Sequence, residues 1–323
     1  MFNFFFLILF ISILNILSLS LSDMLIIWFF MEMSNFLFIS YIIMMLKNKK
    51  MVFFYFLIQF MSSSLIILSI SLNLFYSFYF SNWMAFFTLM LKLNFPPLHL
   101  WMLMIIDYLD WISTMLALTV QKIIPYYLLS FFIPLINPIL FWSIVCITLI
   151  FPPLMLLNIL NFKKILFFSS MNQSGWFLTL IYLDNLIWLI YFSLYSLISS
   201  IIIFLINYSK LSFNFKYFYT SYMLFMYLFM FFNIASIPPF MFMMFKWLNI
   251  FIFMFNMKFN LILFMFMFNS LFMLYIYIRM TFTFLFHKYF TLKFIYYSEP
   301  SFSFIFICLS MMTIFSSMFF FLM

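Results

Sequence analysis

Long apolar runs alternate with short polar breaks along the whole chain, and this pattern predicts membrane-spanning helices. A helix rises about 1.5 Å per residue, so a run of about 20 apolar residues crosses a hydrocarbon core of about 30 Å. The runs are continuously apolar rather than alternating, which excludes transmembrane strands. About eleven spans are predicted, at residues 2–21, 24–46, 52–72, 83–103, 108–130, 139–160, 165–183, 186–207, 217–256 (interrupted near Pro238), 259–280 and 301–322.

The placement of the basic residues decides how the 217–256 stretch is counted. If it were two spans, every later loop would move to the other side of the membrane. If the stretch is one span, Lys258 is the only one of the loop lysines and arginines on one side of the membrane. The other side then holds Lys47, Lys49, Lys50, Lys163, Lys164, Lys210, Lys216, Arg279, Lys288 and Lys293. Because this asymmetry satisfies the positive-inside tendency, the N-terminus is predicted on the positive side and the C-terminus on the opposite side.

The composition agrees with an integral membrane protein. Of the 323 residues, 69% are hydrophobic and 6% are charged, whereas a soluble domain has about 25% charged residues. The predicted spans leave no room for a soluble catalytic domain. The net charge of +8 lies largely in loops, where it favours contact with anionic lipid headgroups and argues against nucleic acid. Cys146 and Cys308 lie in apolar runs without a paired spacing, so they are interpreted as small core residues.

The amino-acid bias indicates an AT-rich organellar gene. The chain has 59 Phe and 31 Met but one Gly, and Phe has A/T-rich codons whereas Gly requires G. No Phe stripe is therefore interpreted as a site. The N-terminal "MFNFFFLILF" has no basic region and no small-residue cleavage site, so residue 1 is expected to be mature and the chain to be inserted where it is made.

Four ionisable residues lie well inside predicted spans: Glu32, Lys92, Lys122 and Lys246. A charge at the centre of a membrane helix costs about 2.5 to 3.5 kcal/mol on insertion scales, so such residues usually face a bundle interior or a hydrated path. Structural ion pairs, and lysines that extend to the headgroups, are the alternatives. Lys92 and Lys122 lie near the middle of their spans, and a functional role is favoured most strongly for these two.

Prolines lie close to the three lysines. They are Pro96, Pro97, Pro125, Pro238 and Pro239. Because proline has no N–H, Pro96 frees the carbonyl of Lys92 and Pro125 frees that of Gln121. Irregular backbone at membrane depth is stable only where protein or a water-filled cavity satisfies it. A packing kink is the alternative, but a Pro-Pro pair near a buried lysine in both halves favours a transport path.

Other polar residues are weaker candidates. His99 follows Pro96 by three residues, where it is either a proton relay or a satisfied structural donor. Asp107 and Asp110 flank a span end and are interpreted as charges at a helix N-terminus. The segment "FFSSMNQSGW" (167–176) collects small and polar residues, which serve either close helix packing or a hydrated relay.

The residue types exclude several kinds of site. Two histidines and two cysteines cannot supply haem pairs, copper centres or iron–sulfur ligands, so no redox metal is expected in this chain. One glycine excludes a glycine-rich phosphate loop, and no other cofactor site is predicted.

The segments around the four charges resemble the family of mitochondrial NADH dehydrogenase subunit 2, an antiporter-like subunit of respiratory complex I. The resemblance covers most of the chain in order and spacing. Its specific parts are "WFFMEMSNF" (28–36), "LKLNFPPLHLW" (91–101), "LTVQKIIPYYLLS" (118–130), "FKKILFFSSMNQSGW" (162–176) and "IASIPPFMFMMFKW" (234–247).

The resemblance implies an all-α polytopic membrane protein with two inverted five-helix repeats, at 1–130 and 139–280, each with one interrupted helix, and a C-terminal helix at 301–322. It implies the mitochondrial inner membrane, with the N-terminus on the matrix side and the C-terminus on the intermembrane-space side. The implied partners are other complex I membrane subunits, especially the neighbouring subunits 4L and 4, and cardiolipin. FMN, iron–sulfur clusters and ubiquinone are expected in other subunits.

The resemblance also implies roles for the buried charges: Glu32 and Lys92 form a coupled pair, Lys122 is the central relay, and Lys246 passes the proton towards the exit. Two features depart from the family. The small residues usual before its prolines are replaced in "LNFPP" and partly in "ASIPP". A histidine common in the family is Gln173 here, which cannot take up a proton.

Three functions stay open. The first is a core membrane subunit of proton-pumping NADH:ubiquinone oxidoreductase that provides a proton path and no redox chemistry. The second is a structural or assembly subunit of the same complex whose buried charges are locked in ion pairs. The third is a free-standing cation/proton antiporter.

Overall fold

The computed structural model describes residues 2–46, 48–75, 79–159, 161–183, 186–208, 221–237, 240–256 and 260–290, and it is helical without strands in these ranges. The predicted span 301–322 lies outside the described residues, as do Pro238 and Pro239. The helices are α1 (Phe2–Leu19), α2 (Met24–Met45), α3 (Lys49–Phe75), α4 (Tyr79–Leu93), α5 (Leu100–Ile106), α6 (Trp111–Leu118), α7 (Ile123–Phe132), α8 (Pro138–Leu156), α9 (Phe162–Tyr182), α10 (Ile187–Tyr208), α11 (Ser221–Ala235), α12 (Met241–Asn256) and α13 (Asn260–Phe290).

These helices make the chain an all-α, multi-pass membrane protein, because an apolar helix is one of the few structures that satisfy every backbone group within lipid. Six described stretches are long and apolar enough to cross a membrane, judged by length and composition. They are Met24–Met45, Lys49–Asn73, Trp111–Leu135, Pro138–Leu156, Ile187–Asn207 and Ile262–Phe282. The total of eleven spans stays a prediction.

Three of the predicted spans are divided in the structure, and one of them is 217–256, which is shared between α11 and α12. The 83–103 span is shared between α4 and α5, with an irregular segment at residues 94–99 that contains both prolines. The 108–130 span is shared between α6 and α7, with one turn of 3-10 helix at Val120–Lys122 between them. Pro125, which frees the carbonyl of Gln121, lies three residues after the end of this turn. The irregular backbone predicted near Lys122 is therefore found there.

The chain divides into two compact units. The first comprises Met1–Thr148 and Ser169–Leu186, and in it α3 packs against α2 and α4, while α1 and α4 contact α7. The second comprises Leu149–Phe168 and Ile187–Met323, and in it α11 packs against α10, α12 and α13. The repeat boundaries predicted at 1–130 and 139–280 are a different division and stay a prediction.

In the first unit, side chains from neighbouring helices stabilise the irregular backbone around Lys122. Asn15 of α1 donates its Nδ2 hydrogen to the carbonyl of Val120 over 2.8 Å. Gln121 donates from Nε2 to the carbonyl of Ser34 in α2 over 3.3 Å. The 3-10 turn is therefore held from two sides by hydrogen bonds, as buried backbone at membrane depth requires.

In the second unit, α8 continues through Pro152 and Pro153 without a break. Pro153 removes the hydrogen bond that the carbonyl of Leu149 would accept within the helix. The buried Asn269 of α13 donates to this carbonyl over 2.9 Å. A proline pair thus does not by itself end a helix here, because a neighbouring helix supplies the missing donor.

Candidate functional site

Glu32 and Lys92 form a buried ion pair between α2 and α4. Lys92 Nζ lies 2.8 Å from Glu32 Oε1, and the side chains are 2% and 12% exposed, respectively. The same ammonium lies 3.6 Å from the sulfur of Met31. Asn35, one turn after Glu32, donates from Nδ2 to Glu32 Oε1 over 3.4 Å. The coupled pair that the resemblance implies between Glu32 and Lys92 is therefore in contact, and the Asn35 amide donates a hydrogen bond to the carboxylate.

The end of α4 fixes the position of Lys92. Asn94 has a φ of 63°, in the left-handed region. Its N–H bonds to the carbonyl of Leu91 over 3.2 Å, and the N–H of Phe95 bonds to that of Met90 over 3.0 Å. These two bonds form a Schellman motif, which closes a helix and turns the chain away. Lys92 is thus held in the last turn of α4, directly beside irregular backbone.

Lys122 lies in the 3-10 turn between α6 and α7, and it is buried. Its Nζ is 3.2 Å from Ser170 Oγ, in the part of α9 that belongs to the first unit. In the described part of the chain, no carboxylate lies within salt-bridge distance of this ammonium. A hydroxyl is the partner that the structure shows, so the Lys122 side chain is solvated by a neutral dipole.

A narrow polar cavity joins Lys92 to Lys122 in the first unit. The residues with polar side-chain atoms that line it are Asn35, Tyr55, Gln59, Lys92, Asn94, Trp101, Gln121 and Lys122. The cavity leaves about 10 Å³ for the centre of a water molecule, which is the scale of one water. A second cavity of the same size is lined by Glu32, Asn35 and Gln59 together with apolar residues. Asn35 and Gln59 line both cavities, so polar surface continues from the carboxylate to Lys122.

Lys246 occupies a similar setting in the second unit. It is buried in α12, and its Nζ lies 2.7 Å from Ser236 Oγ. Ser236 follows the end of α11 with a φ of 59°, and its Oγ donates to the carbonyl of Ala235 over 2.5 Å. The N–H groups of Ser236 and Ile237 bond to the carbonyls of Asn233 and Phe232. This is the same Schellman pattern as at Asn94.

The remaining candidates lie away from the first cavity. His99 is buried at the start of α5 but is not among the residues that line the cavity. Asp110 directly precedes α6, as predicted for a charge at a helix N-terminus, whereas Asp107 follows the last residue of α5, so the same interpretation is wrong for Asp107. Asn172 and Gln173 are buried within α9. The structure does not test the role proposed for His99, Asn172 or Gln173.

Sequence reasoning did not single out several polar residues of the site. Ser170 was one of a group in 167–176, and Ser236, Asn94 and Asn35 were not selected at all. Their types are common in loops and caps, so identity alone carries little information. Their position was the available signal, because Asn94 and Ser236 lie two residues before each Pro-Pro pair near a buried lysine.

The fold is that of membrane chains in two known assemblies. A chain in the structure of respiratory complex I from Thermus thermophilus with bound aureothin superposes with a TM-score of 0.79. That match covers 98% of this chain and 78% of the other at 13% identity. A chain of the Mrp complex from Dietzia sp. DQ12-45-1b superposes with a TM-score of 0.68, covering 80% of this chain and 56% of the other at 14% identity.

Three relatives found by sequence carry one name, NADH-ubiquinone oxidoreductase chain 2. The protein from Aedes aegypti is 35% identical over 156 residues, which cover 47% of this chain and 45% of the relative. That from Anopheles gambiae is 31% identical over 196 residues, covering 56% and 54%. That from Rhipicephalus sanguineus is 31% identical over 215 residues, covering 63% and 64%.

These relatives confirm the resemblance identified from the motifs around the four charges. The chain spans about half the length of the first two relatives that it matches. No family model matches the chain.

Proposed function

We propose that this chain is a core membrane subunit of a proton-pumping NADH:ubiquinone oxidoreductase and that it provides an antiporter-like proton path without redox chemistry. The proposal rests on one observation above all. The ion pair of Glu32 and Lys92 shares continuous polar surface with Lys122, within a chain of which 69% is hydrophobic. The names of the sequence relatives and the fold support the same assignment.

The geometry suits a path in which charge moves by changing partners. The carboxylate of Glu32 stabilises the ammonium of Lys92, so loss of that contact favours release of the proton from the lysine. Lys122 lies across the cavity and contacts a neutral hydroxyl of Ser170. In the proposed order the proton passes from Lys92 to Lys122 and then towards Lys246 and the exit. His99 is a weaker member of this path.

The proposed architecture has eleven spans in two inverted five-helix repeats, 1–130 and 139–280, with a C-terminal helix at 301–322. The matching helix ends at Asn94 and Ser236 support equivalent interrupted helices in the two repeats. The proposed location is the mitochondrial inner membrane, with the N-terminus facing the matrix and the C-terminus facing the intermembrane space. Other complex I membrane subunits, among them subunits 4L and 4, and cardiolipin are the proposed neighbours, and FMN, iron–sulfur clusters and ubiquinone belong to other subunits.

The first experiment is purification from the native membrane in mild detergent, with every copurifying polypeptide identified and NADH:quinone activity measured. Comigration with flavin and iron–sulfur subunits is expected. Migration of the chain alone would contradict the proposal and favour the free-standing antiporter.

Replacing Lys122 with alanine then tests the path itself. We expect Lys122→Ala to abolish most proton translocation by the assembled complex in sealed vesicles, because the central ammonium is lost. Lys49→Gln is the matched control, since Lys49 is exposed at the start of α3 and removal of its charge should leave translocation unchanged. Loss of assembly in Lys122→Ala, with normal translocation in whatever complex remains, would instead support the structural subunit.

A further inference from the structure

We propose that Asn94 and Trp101 hold a water molecule that carries the proton from Lys92 to Lys122. Asn94 and Trp101 are then positioning residues of the path, and the inference rests on the proposed function. It concerns the first cavity alone, which lies wholly within the first unit.

The backbone at Asn94 does not require an asparagine. Its left-handed φ of 63° is most readily adopted by glycine, with asparagine as the usual second choice. The two Schellman hydrogen bonds at this position use main-chain atoms and would form equally with glycine. The side chain is nevertheless present and is 3% exposed. Because a buried amide is costly without hydrogen bonds, its presence calls for a partner within the site.

Two buried polar atoms in the cavity wall have complementary hydrogen-bonding needs. Asn94 Oδ1 is an acceptor and Trp101 Nε1 is a donor, and neither has a hydrogen-bond partner among the described residues. Trp101 is 8% exposed. Both residues line the cavity that contains Lys92 and Lys122. A buried acceptor and a buried donor on two residues that line one small cavity can be satisfied together by a molecule that both donates and accepts.

Water meets the needs of all four groups. A bound water makes two to four hydrogen bonds, and the cavity leaves about 10 Å³ for its centre. Its oxygen accepts hydrogen bonds from the Lys92 ammonium and from the indole N–H of Trp101. Its two hydrogens are donated to Asn94 Oδ1 and to the neutral amine of Lys122. Asn94 and Trp101 thereby occupy the other two hydrogen-bonding positions of the water, so that the proton can move only between Lys92 and Lys122.

The transfer step is balanced. An N–H bond of Lys92 breaks and an O–H bond to the water forms, while the O–H bond directed at Lys122 breaks and a new N–H bond forms on Lys122. Lys92 ends as a neutral amine, Lys122 ends as an ammonium, and the water is regenerated. No other reactant is required.

The test combines a density map with two variants of the assembled complex. High-resolution cryo-electron microscopy of the parent complex should show a water within hydrogen-bond distance of Asn94 Oδ1 and Trp101 Nε1. Asn94→Gly keeps the left-handed backbone and removes the acceptor, and Trp101→Phe keeps the apolar ring and removes the donor. We expect each variant to translocate several-fold fewer protons per NADH oxidised than the parent.

Two controls isolate the cavity groups from general effects of these substitutions. Asn158→Gly and Trp247→Phe make the same changes at exposed positions and should leave translocation unchanged. Lys122→Ala is assayed in parallel to separate this inference from the proposed function.

Four outcomes decide the inference. A water in the parent map together with reduced translocation in Asn94→Gly and Trp101→Phe supports it. A map with no water between the two side chains overturns it. Normal translocation in both variants, with translocation lost in Lys122→Ala, overturns it and leaves the proposed function standing. Normal translocation in Lys122→Ala as well overturns the proposed function, and this inference with it.

Discussion

At the scale of single residues, the Glu32–Lys92 ion pair can be tested for conduction separately from stability. Its side chains are 12% and 2% exposed, so each charge depends on the other for solvation. Removing one member of a buried pair costs about 3–5 kcal/mol, because the remaining charge is left without a partner, whereas neutralising both members removes that penalty. Stability and proton transfer should therefore respond differently to single and double substitutions.

We expect Glu32→Gln to destabilise the assembled complex by about 3–5 kcal/mol and to lower proton translocation. The double variant Glu32→Gln/Lys92→Gln should regain stability, since no buried charge is left, but should not regain translocation. Thermal denaturation and proton uptake into sealed vesicles measure the two properties. Recovery of both properties in the double variant would show that the pair is structural.

The hydroxyl of Ser236 accepts a hydrogen bond from Lys246 Nζ over 2.7 Å. Ser236→Gly keeps the left-handed backbone and removes the hydroxyl. Ser236→Ala removes the hydroxyl but keeps the Cβ atom, which in alanine as in serine disfavours this backbone by about 1–2 kcal/mol relative to glycine. Both variants should lower proton translocation to a similar extent, and the glycine variant should have the higher thermal stability. Normal translocation in Ser236→Gly would show that Lys246 does not need the hydroxyl.

The four charges could be identified from the sequence because a charge within an apolar span has a high insertion free energy, so it is rarely present without a function. Ser170 and Ser236 could not be identified in this way, because a hydroxyl within a helix has a low free-energy cost when it bonds to a backbone carbonyl of the same helix. Most described serines do this, as Ser34 and Ser62 illustrate with bonds to the carbonyls of Met31 and Gln59. Which hydroxyl faces a lysine depends on helix packing, and local sequence does not record it.

At the scale of helices, a proline pair has two different outcomes in this chain. Pro152 and Pro153 lie within a continuous α8, whereas α4 ends before Pro96 and Pro97. In α8, Asn269 from a neighbouring helix satisfies the carbonyl that proline frees. After α4, the chain turns at Asn94 instead. The outcome is thus decided by the available partners as well as by proline itself.

The hydrogen bond from Asn269 to Leu149 should be important for stability rather than for conduction. We expect Asn269→Leu, which keeps the side-chain size, to destabilise the complex by about 1–3 kcal/mol by leaving a buried carbonyl unsatisfied. Thermal denaturation measures this effect, with Asn207→Leu as the control because Asn207 is exposed near the end of α10. An equal shift in both variants would mean that the Leu149 carbonyl is satisfied without Asn269.

The apolar pattern predicted continuous helices well and irregular segments incompletely. The predicted span 24–46 corresponds to α2 (Met24–Met45), and 186–207 corresponds to α10 (Ile187–Tyr208). Proline chemistry predicted freed carbonyls near Lys92 and Lys122. It could not predict how far the irregular backbone extends, because that depends on the left-handed turn at Asn94 and on the hydrogen bond that Asn15 donates to Val120.

At the scale of the whole molecule, the described helices expose large apolar side chains and bury a polar site. Ile139 and Leu186 are 82% and 77% exposed, whereas Lys122 and Lys246 are each 3% exposed. Large apolar side chains so exposed are unusual in a soluble protein, and they fit a chain surrounded by lipid. The orientation in the membrane follows from the loop charges and can be measured directly.

Cysteine labelling tests the predicted orientation and the span count. In a background without Cys146 and Cys308, we expect Lys49→Cys and Lys210→Cys to react with an impermeant reagent from the matrix side. Lys258→Cys should react only from the opposite side, because one span separates it from Lys210. Reaction of Lys258→Cys from the matrix side would show that residues 217–256 cross the membrane twice.

The two left-handed residues at the helix ends connect the protein's architecture to its shortage of glycine. Such positions ordinarily suit glycine, but the chain has one glycine in 323 residues, and Asn94 and Ser236 stand there instead. Each substitute brings a hydrogen-bonding side chain into the interior, to the cavity wall at Asn94 and to Lys246 at Ser236. A chain depleted in glycine thus places polar side chains next to buried lysines at both left-handed turns.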